Sequence, residues 1–308
     1  MKLYQRKEKD LAPQGQADPY MIKAEDGRYY LYTTGGHLFS SDSLMKGWSY
    51  EGICLDAPGQ QNVWAPSVIK IEEQYYMYYS SMQTGDTSDH GQTLRVATAD
   101  GPQGPFVYQK DILPPFSIDP HVVETPSGLY MFYCNNDEKS SRAGTYILCD
   151  RMLDPYNLEG KAVPAIVPTL DEEIFQRNRF KPGQHWHTVE GAFYFYDRGV
   201  HYLMYSGACY QNPSYFIGFS TACEPEDTDL RMLSWTKYPD NNTYAPLMCR
   251  NEFMEGVGHN SVIRDSGKLY VVYHGRDYQD FAPAKDTRVA RIDELTVDAG
   301  RLSVTMTL

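Results

Sequence analysis

A pattern that recurs five times along the chain limits what it can fold into. ADPYMIKAEDGRYYLYTT, WAPSVIKIEEQYYMYYSS, IDPHVVETPSGLYMFYCN, VEGAFYFYDRGVHYLMYSG and GHNSVIRDSGKLYVVYHGR each read as a β-hairpin. In each, a polar entry precedes an apolar alternating run, a turn and a Tyr-rich second arm. With Asp18, Ala65, Asp119, Glu190 and His259 aligned as first positions, the central tyrosine follows at Tyr30, Tyr76, Tyr130, Tyr202 and Tyr270, always 11 or 12 residues on. Successive starts lie 47, 54, 71 and 69 residues apart, room for four short strands per unit, and apolar runs after each hairpin supply the extra strands. Helical periodicity is nearly absent, and residues 171 to 180 (DEEIFQRNRF) are the one expected short helix. The expectation is an all-β fold, a five-bladed β-propeller of four-stranded antiparallel blades, with all 308 residues forming one domain.

Composition supports a large β core. Tyr contributes 26 residues, and 13 of them fall in the second arms, where they are expected to pack between blades. A net charge of -12 without a basic run argues against nucleic acid and anionic membranes as partners, and leaves a neutral oligosaccharide easy to admit. No stretch approaches the ~20 apolar residues of a membrane helix. The charged N-terminus MKLYQRKEKDLAPQGQ lacks the apolar run of a signal peptide, so a cytoplasmic location is expected. Six cysteines without a C-x-x-C spacing are expected to be buried free thiols.

The innermost strands of a propeller converge on its channel, so Asp18, Asp119, Glu190 and His259 should meet at one mouth although up to 241 residues separate them. Taken singly, each has an ordinary explanation: Asp-Pro starts turns, Glu190 opens a strand, and a lone His is often a core residue. Their common register favours a joint role. Crowded carboxylates resist joint ionisation, so one becomes a proton donor while another stays charged, the apparatus of glycoside hydrolysis. His185 and His187 form an H-x-H that, with Glu190 nearby, makes a metal site imaginable, but no third ligand with suitable spacing presents itself. The competing reading makes His187 and Trp186 part of the cleft lining, with Trp186 or its neighbours stacking on a sugar.

The ordered set ADPYMIK, WAPSV, SIDPHVV, VEGAF and GVGHNSV followed by YHGR resembles glycoside hydrolase family 43 over residues 15 to 295. The resemblance implies a five-bladed propeller and single-displacement hydrolysis with inversion on arabinofuranosides, xylosides or galactans. It assigns Asp18 as the general base, Glu190 as the general acid and Asp119 as the carboxylate that orients the acid and keeps its pKa up. His259 matches a channel histidine that contacts calcium or its waters in many members. Arg288 and Trp64 match an arginine and an aromatic beside the bound sugar. VEGA stands where many members have Glu-Gly-Pro. The expected activity is an exo-acting α-L-arabinofuranosidase, favoured by a compact chain without an attached binding module. Alternatives are a β-xylosidase or exo-β-galactanase of the same family, a non-catalytic sugar-binding propeller, and a retaining β-fructosidase.

Overall fold

A computed structural model describes the whole chain except residues 7–10, 14, 89 and 280–286. The described residues are strands and loops, with only two single turns of 3-10 helix, at Asp171–Glu173 and Leu230–Met232. Of the helix expected over 171 to 180, one turn forms before the chain extends into the strand Ile174–Gln176. Glu173 ends that turn completely buried. It accepts N–H groups from Thr169 and Leu170 and pairs with the buried Lys237 at 2.5 Å, anchoring the segment by tertiary contacts that helical periodicity does not express.

All five hairpins form, four of them in the expected register and the fourth along the chain one residue out at its first position. Tyr20 faces Tyr32, Ser67 faces Tyr78, His121 faces Phe132, Phe193 faces Met204 and Ser261 faces Val272. The strands group into four sheets rather than five. The third and fourth hairpin units share one ten-stranded sheet because Gly144 and Thr145 pair in parallel with His187 and Thr188. A Cβ on Gly144 would lie 2.0 Å from the His187 carbonyl oxygen, so only glycine lets the two units approach this closely.

Five apolar clusters lie between neighbouring units. Tyr30, Tyr32, Tyr75 and Tyr79 join the first unit to the second, and Tyr76, Tyr78 and Tyr133 join the second to the third. Tyr130, Tyr194 and Tyr205 join third to fourth, and Tyr202 with Tyr273 joins fourth to fifth. Tyr29, Leu31, Ile263 and Val272 close the fifth back onto the first. Each second strand is therefore covered on both faces. Tyrosine suits such a position because its ring fills the gap while its hydroxyl reaches an acceptor beyond it, as Tyr78 reaches the Pro155 carbonyl at 2.8 Å and Tyr273 reaches Asp293 at 2.7 Å. Four of the six cysteines are buried, but Cys249 is half-buried and Cys223 exposed; all six are free thiols.

Candidate active site

Two residues before each of those facing pairs the chain turns left-handed. Asp18, Ala65, Asp119 and His259 have φ of 54°, 45°, 55° and 44°, and Gly191 has 63°. Non-glycine residues rarely adopt this conformation, and its recurrence marks a bulge that turns the side chain away from the ladder. In the fourth unit glycine occupies the strained position, and Glu190 projects from the residue before it. The expected alignment is thus one residue out at Glu190. A Cβ on Gly191 would meet the His259 Nδ1 at 3.1 Å, which explains why the bulge itself carries no side chain here.

Three of the freed N–H groups are captured by a second repeating position, four residues after a central tyrosine. The Thr34 hydroxyl accepts from Ala65 N–H at 3.0 Å, Ser206 accepts from His259 N–H at 2.7 Å, and His274 Nδ1 accepts from Asp18 N–H at 3.1 Å. Gly191 N–H donates to Asp119 at 3.1 Å. At four of the five junctions one unit therefore fixes the bulge of the next.

These bulges bring Asp18, Asp119, Glu190 and His259 to one pocket, lined also by Thr34, Trp64, Ile118, Tyr210, Tyr215 and Arg288. Asp18 accepts from Thr34 at 2.6 Å and lies 3.4 Å from His259, 3.4 Å from His274 and 3.6 Å from Arg288. Burial opposes its charge, but His259, Arg288 and His274 outweigh burial and hold it well below the usual carboxylate range. Burial also depresses both imidazoles, His274 to about 4, so Arg288 is the permanent cation beside Asp18. Glu190 shows the opposite balance. Burial and the Asp18 charge push it up to about 7, against the downward pull of a 2.7 Å hydrogen bond from the Tyr215 hydroxyl and of Arg288. Asp119 is raised by burial and by the charges of Glu190 and Asp18, so Asp119 and Glu190 hold a proton between them.

Trp64 and Arg288 line the pocket as expected, with Arg288 stacked 4.7 Å from the Tyr210 ring centroid. Trp186 and His187 do not. Trp186 is buried against Phe180 and Arg179, and His187 meets Arg142 and the Ala143 carbonyl, because this part of the strand packs into the junction with the third unit. His185 accepts from Asn178 N–H and joins no ligand set. Among the described residues no three His, Cys, Asp or Glu side chains converge on one point as metal ligands. His259 directs its Nδ1 toward Asp18 at 3.4 Å and Asp119 at 3.9 Å, which commits it to the carboxylates. A calcium ion on His259 would have to take its oxygens mainly from water and backbone, since no set of three His, Cys, Asp or Glu side chains forms a ligand group among the described residues.

Tyr215, Tyr210, Thr34 and His274 were not among the sequence candidates. Tyr215 had an indirect signal in GVGHNSV: a Cβ on Gly258 would lie 1.7 Å from the Tyr215 ring, so that glycine is where the tyrosine passes. Gly258→Ala is expected to displace the ring, lower kcat at least tenfold and cost ~1–3 kcal/mol of stability through overpacking. Steady-state kinetics and thermal unfolding check both effects.

An ionised carboxylate facing a carboxyl pair that retains a proton, in a pocket this small, defines an acid–base site of the kind that glycosidases use. A family model, glycosyl hydrolases family 43, matches residues 11–300, and the chain belongs to that family. It is 24% identical over 299 residues to α-L-arabinofuranosidase B of Pyricularia oryzae, with 90% of this chain and 59% of that protein covered. This chain thus spans about six-tenths of that relative's length. A crystal structure of a thermostable family-43 glycoside hydrolase superposes with a TM-score of 0.76 at 30% identity, covering 95% of this chain and 93% of the other. The α-L-arabinofuranosidase of Lactobacillus brevis shares the fold, with a TM-score of 0.75 at 24% identity, over 94% and 93% of the two chains.

Proposed function

We propose that this chain is an exo-acting, inverting α-L-arabinofuranosidase built as a single five-bladed propeller. The five hairpin units and the five clusters that close them into a ring support the architecture. The observation that carries the activity is the opposite protonation of Asp18 and Glu190 across one pocket. Asp18, ionised and held by Thr34 and Arg288, takes a proton from water as the water attacks the anomeric carbon. Glu190, held by Tyr215, gives its proton to the departing glycosidic oxygen. Asp119, raised by burial and by the charges of Glu190 and Asp18, shares that proton with Glu190 and keeps the pair from losing it before transfer.

Pocket size favours exo action. At about 130 Å³ the pocket is small, which favours a single terminal sugar over a longer stretch of chain. The choice of arabinofuranose follows the names of two relatives matched over 90% of this chain and 59% of their own length, α-L-arabinofuranosidase B and an extracellular exo-α-(1→5)-L-arabinofuranosidase of Streptomyces avermitilis.

A panel of 4-nitrophenyl glycosides tests the reading, with α-L-arabinofuranoside expected to be hydrolysed fastest, ahead of β-D-xyloside and β-D-galactoside. The first product seen by proton NMR should have inverted anomeric configuration; a retained anomer would make one carboxylate a nucleophile and favour the β-fructosidase-like mechanism. Binding of sugars with no turnover of any of them would leave a sugar-binding propeller.

A further inference from the structure

We infer that Arg276, outside the pocket, is a positioning residue for the catalytic acid: its guanidinium fastens the 209–215 loop, and the loop delivers Tyr215 to Glu190. The inference rests on the acid role proposed for Glu190.

Arg276 lies on the strand Lys268–Asp277, two residues beyond His274 and on the same face, directly across from Glu255. It is 3% exposed and its Nε stands 3.6 Å from the buried Glu255 carboxylate. Gly256, at φ 59°, leaves room for it, since a Cβ there would lie 2.7 Å from the guanidinium carbon. Only an oriented planar fork exploits what comes next. One terminal nitrogen donates to the Tyr210 carbonyl at 3.0 Å, and the other donates to the Gln211 carbonyl at 3.1 Å.

From that anchor the loop runs through two tight turns. Asn212 N–H reaches the Cys209 carbonyl at 2.8 Å, and Tyr215 N–H reaches the Asn212 carbonyl at 3.3 Å. At one end the Tyr210 ring lies under Arg288, which stands beside Asp18. At the other, Tyr215 stacks 5.8 Å from the His274 ring, nearly parallel, and donates to Glu190. One buried arginine thus reaches both sides of the reaction without touching the pocket. The charged and hydrogen-bonding groups that act on Glu190 are Asp18, Tyr215 and Arg288; Tyr215 belongs to this loop and bonds Glu190 directly, while Arg288 meets the loop through the Tyr210 ring.

The test compares Arg276→Ala, Arg276→Lys, Tyr215→Phe and the Tyr215→Phe/Arg276→Ala double variant on 4-nitrophenyl α-L-arabinofuranoside from pH 4 to 9. Losing the Tyr215 hydrogen bond removes a stabiliser of the Glu190 carboxylate, so the alkaline limb of kcat/KM should move to higher pH in Arg276→Ala and in Tyr215→Phe alike. In Arg276→Ala kcat should fall at least tenfold, with a smaller change in KM. The double variant should be no worse than the poorer single one, because both break one path. Arg276→Lys, which keeps the charge but not the fork, should recover part of kcat. Carbon-13 NMR titration of the glutamate side-chain carboxyls reads the same shift of Glu190 with no turnover, so an inactive wild type would sink the activity reading and still leave the inference testable. An Arg276→Ala protein with lowered thermal stability and the wild-type Glu190 titration would overturn it and reduce Arg276 to a packing role. Independent, multiplicative losses in the double variant would also overturn it.

Discussion

Asp18→Asn is expected to bind sugar and turn over almost nothing. The amide keeps the shape of the carboxylate and the contacts to Thr34 and Arg288, but it cannot take a proton from the attacking water. General-base catalysis contributes roughly 10²–10⁴-fold, and that contribution is lost with the Asp18 carboxylate. A loss of at least ~10³-fold in kcat is expected in single-turnover assays, with the dissociation constant for an arabinose-based inhibitor by calorimetry within a few-fold of wild type. More than a tenth of wild-type kcat would remove Asp18 from the mechanism.

The second large effect belongs to Glu190 and depends on the leaving group. An aryl glycoside with a 2,4-dinitrophenolate departs without a proton, whereas an arabino-oligosaccharide must be given one. Glu190→Gln should therefore cost ~10²–10⁴-fold on the oligosaccharide and far less on the activated aryl glycoside. The pH profile should change with it. In the wild type the reactive form carries the proton on Glu190, whose pKa is raised to about 7, so kcat/KM should be flat in mild acid and fall tenfold per unit above that value. The acid side should stay flat until Asp18 is protonated, which its neighbours delay to below the usual carboxylate range. In Glu190→Gln the alkaline fall should vanish. A fall that persists unchanged in the variant would assign the titration to another group.

The carboxylates were legible because they sit on a period. Asp18 and Asp119 occupy the same step of a repeated hairpin, and one hydrogen-bonding register carries both to the same mouth. Glu190 was found by the same alignment although it stands one residue before the strained step, since a bulge turned by Gly191 still presents its neighbour to the pocket. Trp64 and Arg288 came from the family resemblance. Trp186 and His187 were misplaced because alternation along a strand says which side a residue faces, not what covers that side, and here the third unit covers it. The sheet count went the same way: the contact at Gly144 that merges two units depends on an approach between segments more than 40 residues apart.

Tyr215, Tyr210, Thr34 and His274 carry no chemistry that a linear pattern announces. His274 and Tyr210 act through neighbours from another unit, Asp18 and Arg288, while Thr34 and Tyr215 reach acids 16 and 25 residues away within their own units. By itself the sequence determined the repeat, the Tyr-rich strands that bury both faces, and the identity of the acids at the shared step, because these follow from period and residue type. Only the tertiary structure decided which acid is ionised and which keeps its proton. That choice depends on Arg288 standing beside Asp18 and on the burial of Glu190, quantities set by packing across units that no single unit contains.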